Sequence, residues 1–238
     1  PAELSFVSCQ VLAPLVGNGL YAYRSPEYVK DMGTPARYRE VNEDTAAGRV
    51  AARRLSRPQK AVFLDRDGTI NIYKGLITSA EAIELIDGAA DAIRTINRSG
   101  YLAVVITNQP VIARGDCTPE DLEDIHRRLE ELLGEHGAYL DAVYFCPHHP
   151  DSGFPGENTA YKIPCDCRKP KPGMILRAAA EYHIDTSASW MVGDDIKDVL
   201  AGTAAGCKTA FLLCGKPPEG PVDAPTYGDL AAFVRENI

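Results

Sequence analysis

The sequence predicts an α/β protein, a doubly wound parallel sheet, and three observations carry that prediction. From Ala61 onward, short apolar runs alternate with helical stretches, the pattern of repeated βα units with right-handed crossovers. The run Leu102-Ala103-Val104-Val105-Ile106 is apolar at every position, as expected of a strand covered on both faces. Acidic, amide and basic clusters stand after these runs, and in such sheets ligands bind at the carboxyl ends of the strands.

Each element follows in order. Ala61-Val62-Phe63-Leu64 is the first strand, and a helix near residues 88–99 is stopped by Gly100. The 102–106 strand comes next. Thr118 reads as the N-cap of the following helix, with Pro119 at its first position and Glu120 and Asp121 in its first turn. That helix runs to about His136-Gly137. Residues 140–145 form a strand, 172 to about 183 a helix, and 189–192 a strand. A helix from about Ile196 to Ala205 ends at Gly206, and 209–213 closes the series. Residues 1–50 carry scattered turn signals, Gly17-Asn18-Gly19 and Gly33-Thr34-Pro35, and few long apolar runs. The polar, basic stretch Arg53 to Lys60 reads equally as a linker or as a helix end with a solvated face. The expected division is a segment over 1–50, a linker over 51–60 and one domain over 61–238. Because the chain begins with Pro1, it is expected to be a piece of a longer polypeptide.

Composition narrows the function classes. With 45% hydrophobic and 24% charged residues, the chain is neither disordered, collagenous nor coiled-coil. No apolar run approaches the roughly 18–20 residues of a membrane helix, and none resembles a signal peptide. A net charge of −8 opposes non-specific nucleic-acid binding. Two of the seven cysteines, Cys165 and Cys167, stand one residue apart, which favours metal ligation in a reducing compartment and predicts a cytoplasmic protein.

The strongest chemical signal is Asp65-Arg66-Asp67-Gly68-Thr69, directly after the first strand. Two carboxylates two residues apart face one site if the backbone turns, and Gly68 permits the turn. One can attack phosphorus while the other passes a proton to the leaving oxygen, with Mg²⁺ offsetting their repulsion. After the second strand, Thr107-Asn108-Gln109 offers a hydroxyl and amides for phosphate oxygens, although Thr-Asn is an equally good loop start. Arg168-Lys169-Pro170-Lys171-Pro172 is a basic cluster before a helix. Gly193-Asp194-Asp195, with Asp198 one turn on, suits a hard cation or an N-cap at Asp194. Four such motifs at four strand ends decide against ordinary turns.

A second constellation is Cys146-Pro147-His148-His149-Pro150 followed by Cys165-Asp166-Cys167. Cys146, His148, Cys165 and Cys167 make a Cys₃His set that closes a tetrahedral Zn²⁺ site with no open position, a structural site. His149 is an alternative to His148. Cys9, Cys117, Cys207 and Cys214 read as core or surface thiols, and His126, His136 and His183 as structural residues on helical faces.

On these motifs the chain resembles the haloacid dehalogenase superfamily of aspartyl phosphotransferases. The resemblance implies Asp65 as nucleophile, Asp67 as general acid then base, Thr107 as phosphoryl ligand and Lys169 as charge neutraliser. It also implies that Asp194 binds Mg²⁺ with Asp65 and the backbone carbonyl of Asp67. Over about residues 60–215, the zinc loop followed by Arg168-Lys169-Pro170, together with Ile112-Ala113-Arg114-Gly115, resembles the D-glycero-D-manno-heptose 1,7-bisphosphate 7-phosphatases. Histidinol-phosphate phosphatases are their near relatives and the alternative reading. No insertion is long enough for a large cap domain. The resemblance therefore assigns specificity to short loops at 71–78, 108–114 and 147–168, with Arg168 contacting the sugar and Arg114, Asn108 and Gln109 near the substrate. Two positions depart from the pattern. Pro110-Val111 replaces Ser-Gly and removes a backbone donor, and Asp195 replaces a basic residue.

Residues 28–37, Tyr-Val-Lys-Asp-Met-Gly-Thr-Pro-Ala-Arg, resemble the C-terminal end of a sugar-1-phosphate nucleotidyltransferase. That resemblance implies such a domain upstream in the same polypeptide, and a guanylyltransferase would imply the α-anomer. A third reading, of another class, is a non-catalytic phosphate-binding or docking module of such a fusion. Turnover of any phosphomonoester separates it from an enzyme.

Overall fold

The computed structural model describes residues 11–21, 25–151, 153, 155–214, 217–218 and 220–238. Helix α1 (Pro35–Ala46) starts where Thr34 accepts from the Arg37 amide with proline in the first turn, and α2 (Arg49–Ala52) follows. The order then runs β1 (Lys60–Leu64), α3 (Ala89–Ser99), β2 (Tyr101–Asn108), α4 (Val111–Arg114), α5 (Pro119–Glu135) and β3 (Ala142–Cys146). It continues through α6 (Gly173–Tyr182), β4 (Trp190–Gly193), α7 (Ile196–Ala204), β5 (Lys208–Leu212), β6 (Thr226–Tyr227) and α8 (Leu230–Asn237).

All six strands are parallel, in the order β3-β2-β1-β4-β5-β6. The order reverses at β1, so a crevice opens between the carboxyl ends of β1 and β4. Alternation along β1 divides the core: Val62 and Leu64 pack with α3, α5 and α8, while Ala61 and Phe63 pack with α6 and α7. The sheet is thus covered on both faces, as its apolar strands require. Gly100 ends α3 in the left-handed conformation, and Thr118 with Asp121 forms a reciprocal cap on α5.

Every expected strand and helix is present within a few residues of its expected bounds, and α1, α2, α4, β6 and α8 are additional. The 51–60 stretch is not a free linker. Strand β1 begins inside it at Lys60, and Arg53 is buried against Asp141 at 2.5 Å. Gln59 is buried too, donating to the carbonyls of Arg54 and Arg57. Among the described residues no helix is long and apolar enough to cross a membrane.

Candidate active site

The site is built just beyond the carboxyl ends of β1 and β4, where Gly68 and Gly193 leave room for neighbouring carboxylates. Beyond β1, the Asp65 amide donates to the Val192 carbonyl on β4 at 2.9 Å, which extends the ladder by one residue. The chain then turns: the Arg66 carbonyl accepts from the Ile70 and Asn71 amides, and Gly68 takes φ +82°. A Cβ on Gly68 would lie 2.2 Å from an Asp194 carboxylate oxygen, and one on Gly193 would lie 2.1 Å from Asp198. Glycine at both places lets Asp65, Asp194 and Asp198 bring carboxylate oxygens within 4.8 Å of one another.

Lys169 is the counter-charge. Its buried ammonium lies 2.8 Å from Asp65 and 2.6 Å from Asp198. Burial alone would lower its pKa, but the two carboxylates outweigh burial and hold it above the usual lysine range. Burial raises the Asp198 carboxyl, Lys169 opposes that, and the Asp65 charge reinforces it, for a net rise. Asp65 and Asp198 share one ammonium, and Asp194 brings a third carboxylate into the same group, leaving surplus negative charge among hard oxygen donors. That donor set fits Mg²⁺. Asn108 positions the lysine, its amide donating to the Lys169 carbonyl and its oxygen accepting from the Lys169 amide at 3.1 and 3.0 Å. Expected as a substrate contact, Asn108 is used on the protein itself.

Asp67 is held separately. Arg66, fully buried, grips both of its oxygens, with Asn71 and Gln109 donating at 2.9 Å each. Burial would raise the Asp67 carboxyl, but the Arg66 charge and these donors prevail and hold it below the usual range. Gln109 ties Asp67 to the Thr107 hydroxyl, donating to each at 2.9 Å. His126, behind Arg66 and tilted against Phe145, is pushed down to about 3 by burial and by the arginine, so it stays neutral. Its Nε2 has no hydrogen-bond partner, which corrects the expectation of a satisfied structural histidine.

The thiols of Cys146, Cys165 and Cys167 and the His148 ring lie within 4.8 Å of one another. Cys146 is 3.2 Å from Cys167 and 3.6 Å from Cys165, and His148 Nδ1 is 3.3 Å from Cys167. Soft sulfur plus one imidazole at this spacing fits Zn²⁺. His149 is not of the set, and its Nδ1 accepts from the Asp151 amide. The Asn158 amide donates to Ala113, and the Gly156 carbonyl lies 2.0 Å from where a Gly115 Cβ would be, so the loop rests on the cap of α4. Arg168 donates to the His148 carbonyl at 3.2 Å. Its charge and that of Arg114 add to burial in lowering the pKa of His149.

Pro110 is accommodated as the N-cap of α4 at φ −70°. The cap of α7 is Asp195 rather than Asp194: it accepts from the Lys197 amide while Asp198 accepts from its own. The unusual acid therefore serves its helix. Cys9 lies outside the described residues, as do 152 and 154 of the 147–168 loop. Arg66, buried under the acid–base pair, is the site residue that sequence reasoning missed. Its signal was weak, since a charged residue inside Asp-x-Asp-Gly reads as solvated.

A HAD-hydrolase-like family model matches residues 166–236. The D-glycero-β-D-manno-heptose-1,7-bisphosphate 7-phosphatase of Salmonella typhi is 43% identical over 164 residues, 68% of this chain and 85% of that protein. That of Yersinia pestis is 44% identical over 158 residues, 66% and 82%. Among solved structures, the D,D-heptose 1,7-bisphosphate phosphatase of B. bronchiseptica, complexed with magnesium and phosphate, is 30% identical. It superimposes with a TM-score of 0.65 over 75% of this chain and 97% of that one. The chain therefore belongs to the D-glycero-β-D-manno-heptose-1,7-bisphosphate 7-phosphatase family, phosphoric monoester hydrolases built on the haloacid dehalogenase fold.

Proposed function

We propose that the chain removes the 7-phosphate of D-glycero-D-manno-heptose 1,7-bisphosphate through an aspartyl-phosphate on Asp65. The observation that carries this reading is the buried Asp65–Lys169–Asp198 cluster beside Asp67 and Thr107, in a chain 43% identical to an enzyme of that name. Asp65 and Asp194, with the carbonyl of Asp67, would hold Mg²⁺, which supplies charge neutralisation to the phosphoryl oxygens.

An Asp65 oxygen attacks phosphorus as the bond to O7 breaks, and Asp67 hands its proton to the leaving alkoxide. Asp67 then takes a proton from water as the water oxygen attacks phosphorus, freeing Asp65 and orthophosphate. Because Arg66 holds Asp67 ionised, its first proton enters with the substrate, whose phosphomonoester has a second pKa of about 6. Thr107 and Lys169 hold the transferring oxygens, and Arg114 and Arg168 receive the other end of the sugar. Cys146, His148, Cys165 and Cys167 would hold a structural Zn²⁺ that orders the 147–168 loop, a thiolate site suited to the reducing cytoplasm. Residues 28–37 support a further part of the reading, that 1–50 is the end of a nucleotidyltransferase domain whose substrate is the phosphatase's product.

The test is a kinetic screen of both anomers of the heptose bisphosphate against histidinol phosphate. A heptose bisphosphate is expected to give the highest kcat/KM, and preference for histidinol phosphate would overturn the assignment. Elemental analysis of protein purified without chelator is expected to give about one zinc per chain, from four ligands at one tetrahedral site. A zinc-free, equally stable and active protein would remove the metal from the loop.

A further inference from the structure

We propose that Arg66 is a positioning residue for the acid–base step, fixing the Asp67 carboxylate beside Thr107 for both proton transfers; this rests on the phosphatase reading above. Arg66 has no exposed surface, and its guanidinium is spent on Asp67. Its guanidinium meets Asp67 Oδ1 through Nε and Nη2 at 3.2 and 3.0 Å, and Oδ2 through Nη2 at 2.8 Å. A planar fork against a planar carboxylate fixes orientation as well as charge.

The remaining donors close the arrangement. Asn71 Nδ2 donates to Oδ1 and Gln109 Nε2 to Oδ2, each at 2.9 Å, and Gln109 also reaches the Thr107 hydroxyl. Asp67 thus accepts from three side chains, one of which is shared with Thr107. Asn71 is itself tied down, donating to the Ile72 carbonyl at 3.1 Å, and its backbone closes the turn onto the Arg66 carbonyl. The neutral His126 ring lies near enough to feel the Arg66 charge and offers it no competing anion. Among the described residues Asp67 is its one anionic partner, so the arginine holds that carboxyl while Asp65 pairs with Lys169.

This arrangement predicts a leaving-group signature that a merely structural role would not produce. A sugar phosphate leaves as an alkoxide and needs the proton from Asp67, whereas an aryl phosphate with a good leaving group does not. Both need Asp67 as base when water attacks the aspartyl-phosphate. Arg66→Gln is therefore expected to slow alkyl phosphate turnover on the order of a hundredfold, the usual scale of general acid–base catalysis. With p-nitrophenyl phosphate the same variant should release close to one equivalent of nitrophenolate in a burst, then turn over slowly as phosphoenzyme accumulates. Arg66→Lys, which keeps the charge without the fork, should fall between.

Asn71→Leu, near-isosteric and neutral, removes a single donor to Asp67. It should give the same pattern more weakly, and it tests the proposal if Arg66→Gln does not fold. Equal losses on both substrates with no burst, in a folded variant, would overturn the positioning role. An inactive wild type on every phosphomonoester would instead remove the phosphatase reading itself.

Discussion

Two buried charge clusters stand at opposite ends of one sheet. At the amino ends of β2 and β3, Arg53 pairs with Asp141, donates to the Tyr101 carbonyl and meets the Tyr139 hydroxyl, while Asp141 also accepts from the Ala103 amide. At the carboxyl ends, four carboxylates, Asp65, Asp67, Asp194 and Asp198, face two cations, Lys169 and Arg66. The first cluster is neutral and closed. The second carries surplus negative charge, which a divalent cation would balance. Buried charge serves structure where it balances and chemistry where it does not.

The strongest way to break that contrast is at the nucleophile. Asp65→Asn is expected to abolish turnover with the fold intact, because an amide cannot form the phosphoenzyme; substantial phosphate release from a folded variant would remove Asp65 from that role. At the balanced end, Arg53→Met should cost about 3–5 kcal/mol of stability by urea unfolding, the cost of leaving Asp141 buried and unpaired. Its kcat should change less than about twofold, since Arg53 makes no contact with the crevice groups. A lost kcat at unchanged stability would erase the distinction between the ends.

The pH dependence of Arg53→Met sharpens the point. Burial already holds the Asp141 carboxyl above its usual range despite Arg53. Without the arginine the folded state keeps a proton that the unfolded state releases, so the deficit should shrink as pH falls from 7 towards about 5. A deficit constant across that range would mean that Asp141 is not the origin.

Lys169→Met should lower kcat/KM on the order of a hundred- to a thousandfold, the scale for losing one preorganised charge-stabilising donor. Added Mg²⁺ should then raise its Tm more than that of wild type, since the ion would be the sole counter-charge. A Tm indifferent to Mg²⁺ would argue against a cation among these carboxylates. The smallest effect is expected from Arg168→Ala. It should raise KM for a sugar bisphosphate by roughly ten- to a hundredfold, or about 1.5–3 kcal/mol, and leave an aryl phosphate nearly unchanged. Equal losses on both would move Arg168 to the reacting centre.

Strand ends made most of the site legible. Asp65, Thr107 and Asp194 each follow a short apolar run, and a parallel sheet gathers such positions on one side. Lys169 was legible because it closes a loop tied by metal-ligand spacing. Arg66 was not, because the setting of its partner Asp67 is completed by Gln109, from a distant part of the chain. Arg53 shows the same limit: a polar, basic stretch looks solvated until Asp141, 88 residues away, is known to face it. Helix α1 gave no apolar period, as Asp44 is its one buried residue. The two-residue β6 is too short to leave a pattern, and it separated α8 from the strand series.

The way the cysteine-bearing loop meets the rest of the domain has an evolutionary consequence. Its contacts with the cap of α4 run from backbone to backbone, Asn158 to Ala113 and Gly156 against Gly115. Away from Gly115, Gly156 and the core-packed Tyr161, contacts of that kind depend little on side-chain identity, so exposed residues of the loop can be changed without disturbing the strands. The loop would then behave as an interchangeable cassette, with the clustered side chains of Cys146, His148, Cys165 and Cys167 at its base. Grafting the corresponding loop from a relative with another substrate should transplant selectivity while leaving the reacting carboxylates untouched. A lineage could thus acquire new sugar phosphates by loop exchange alone.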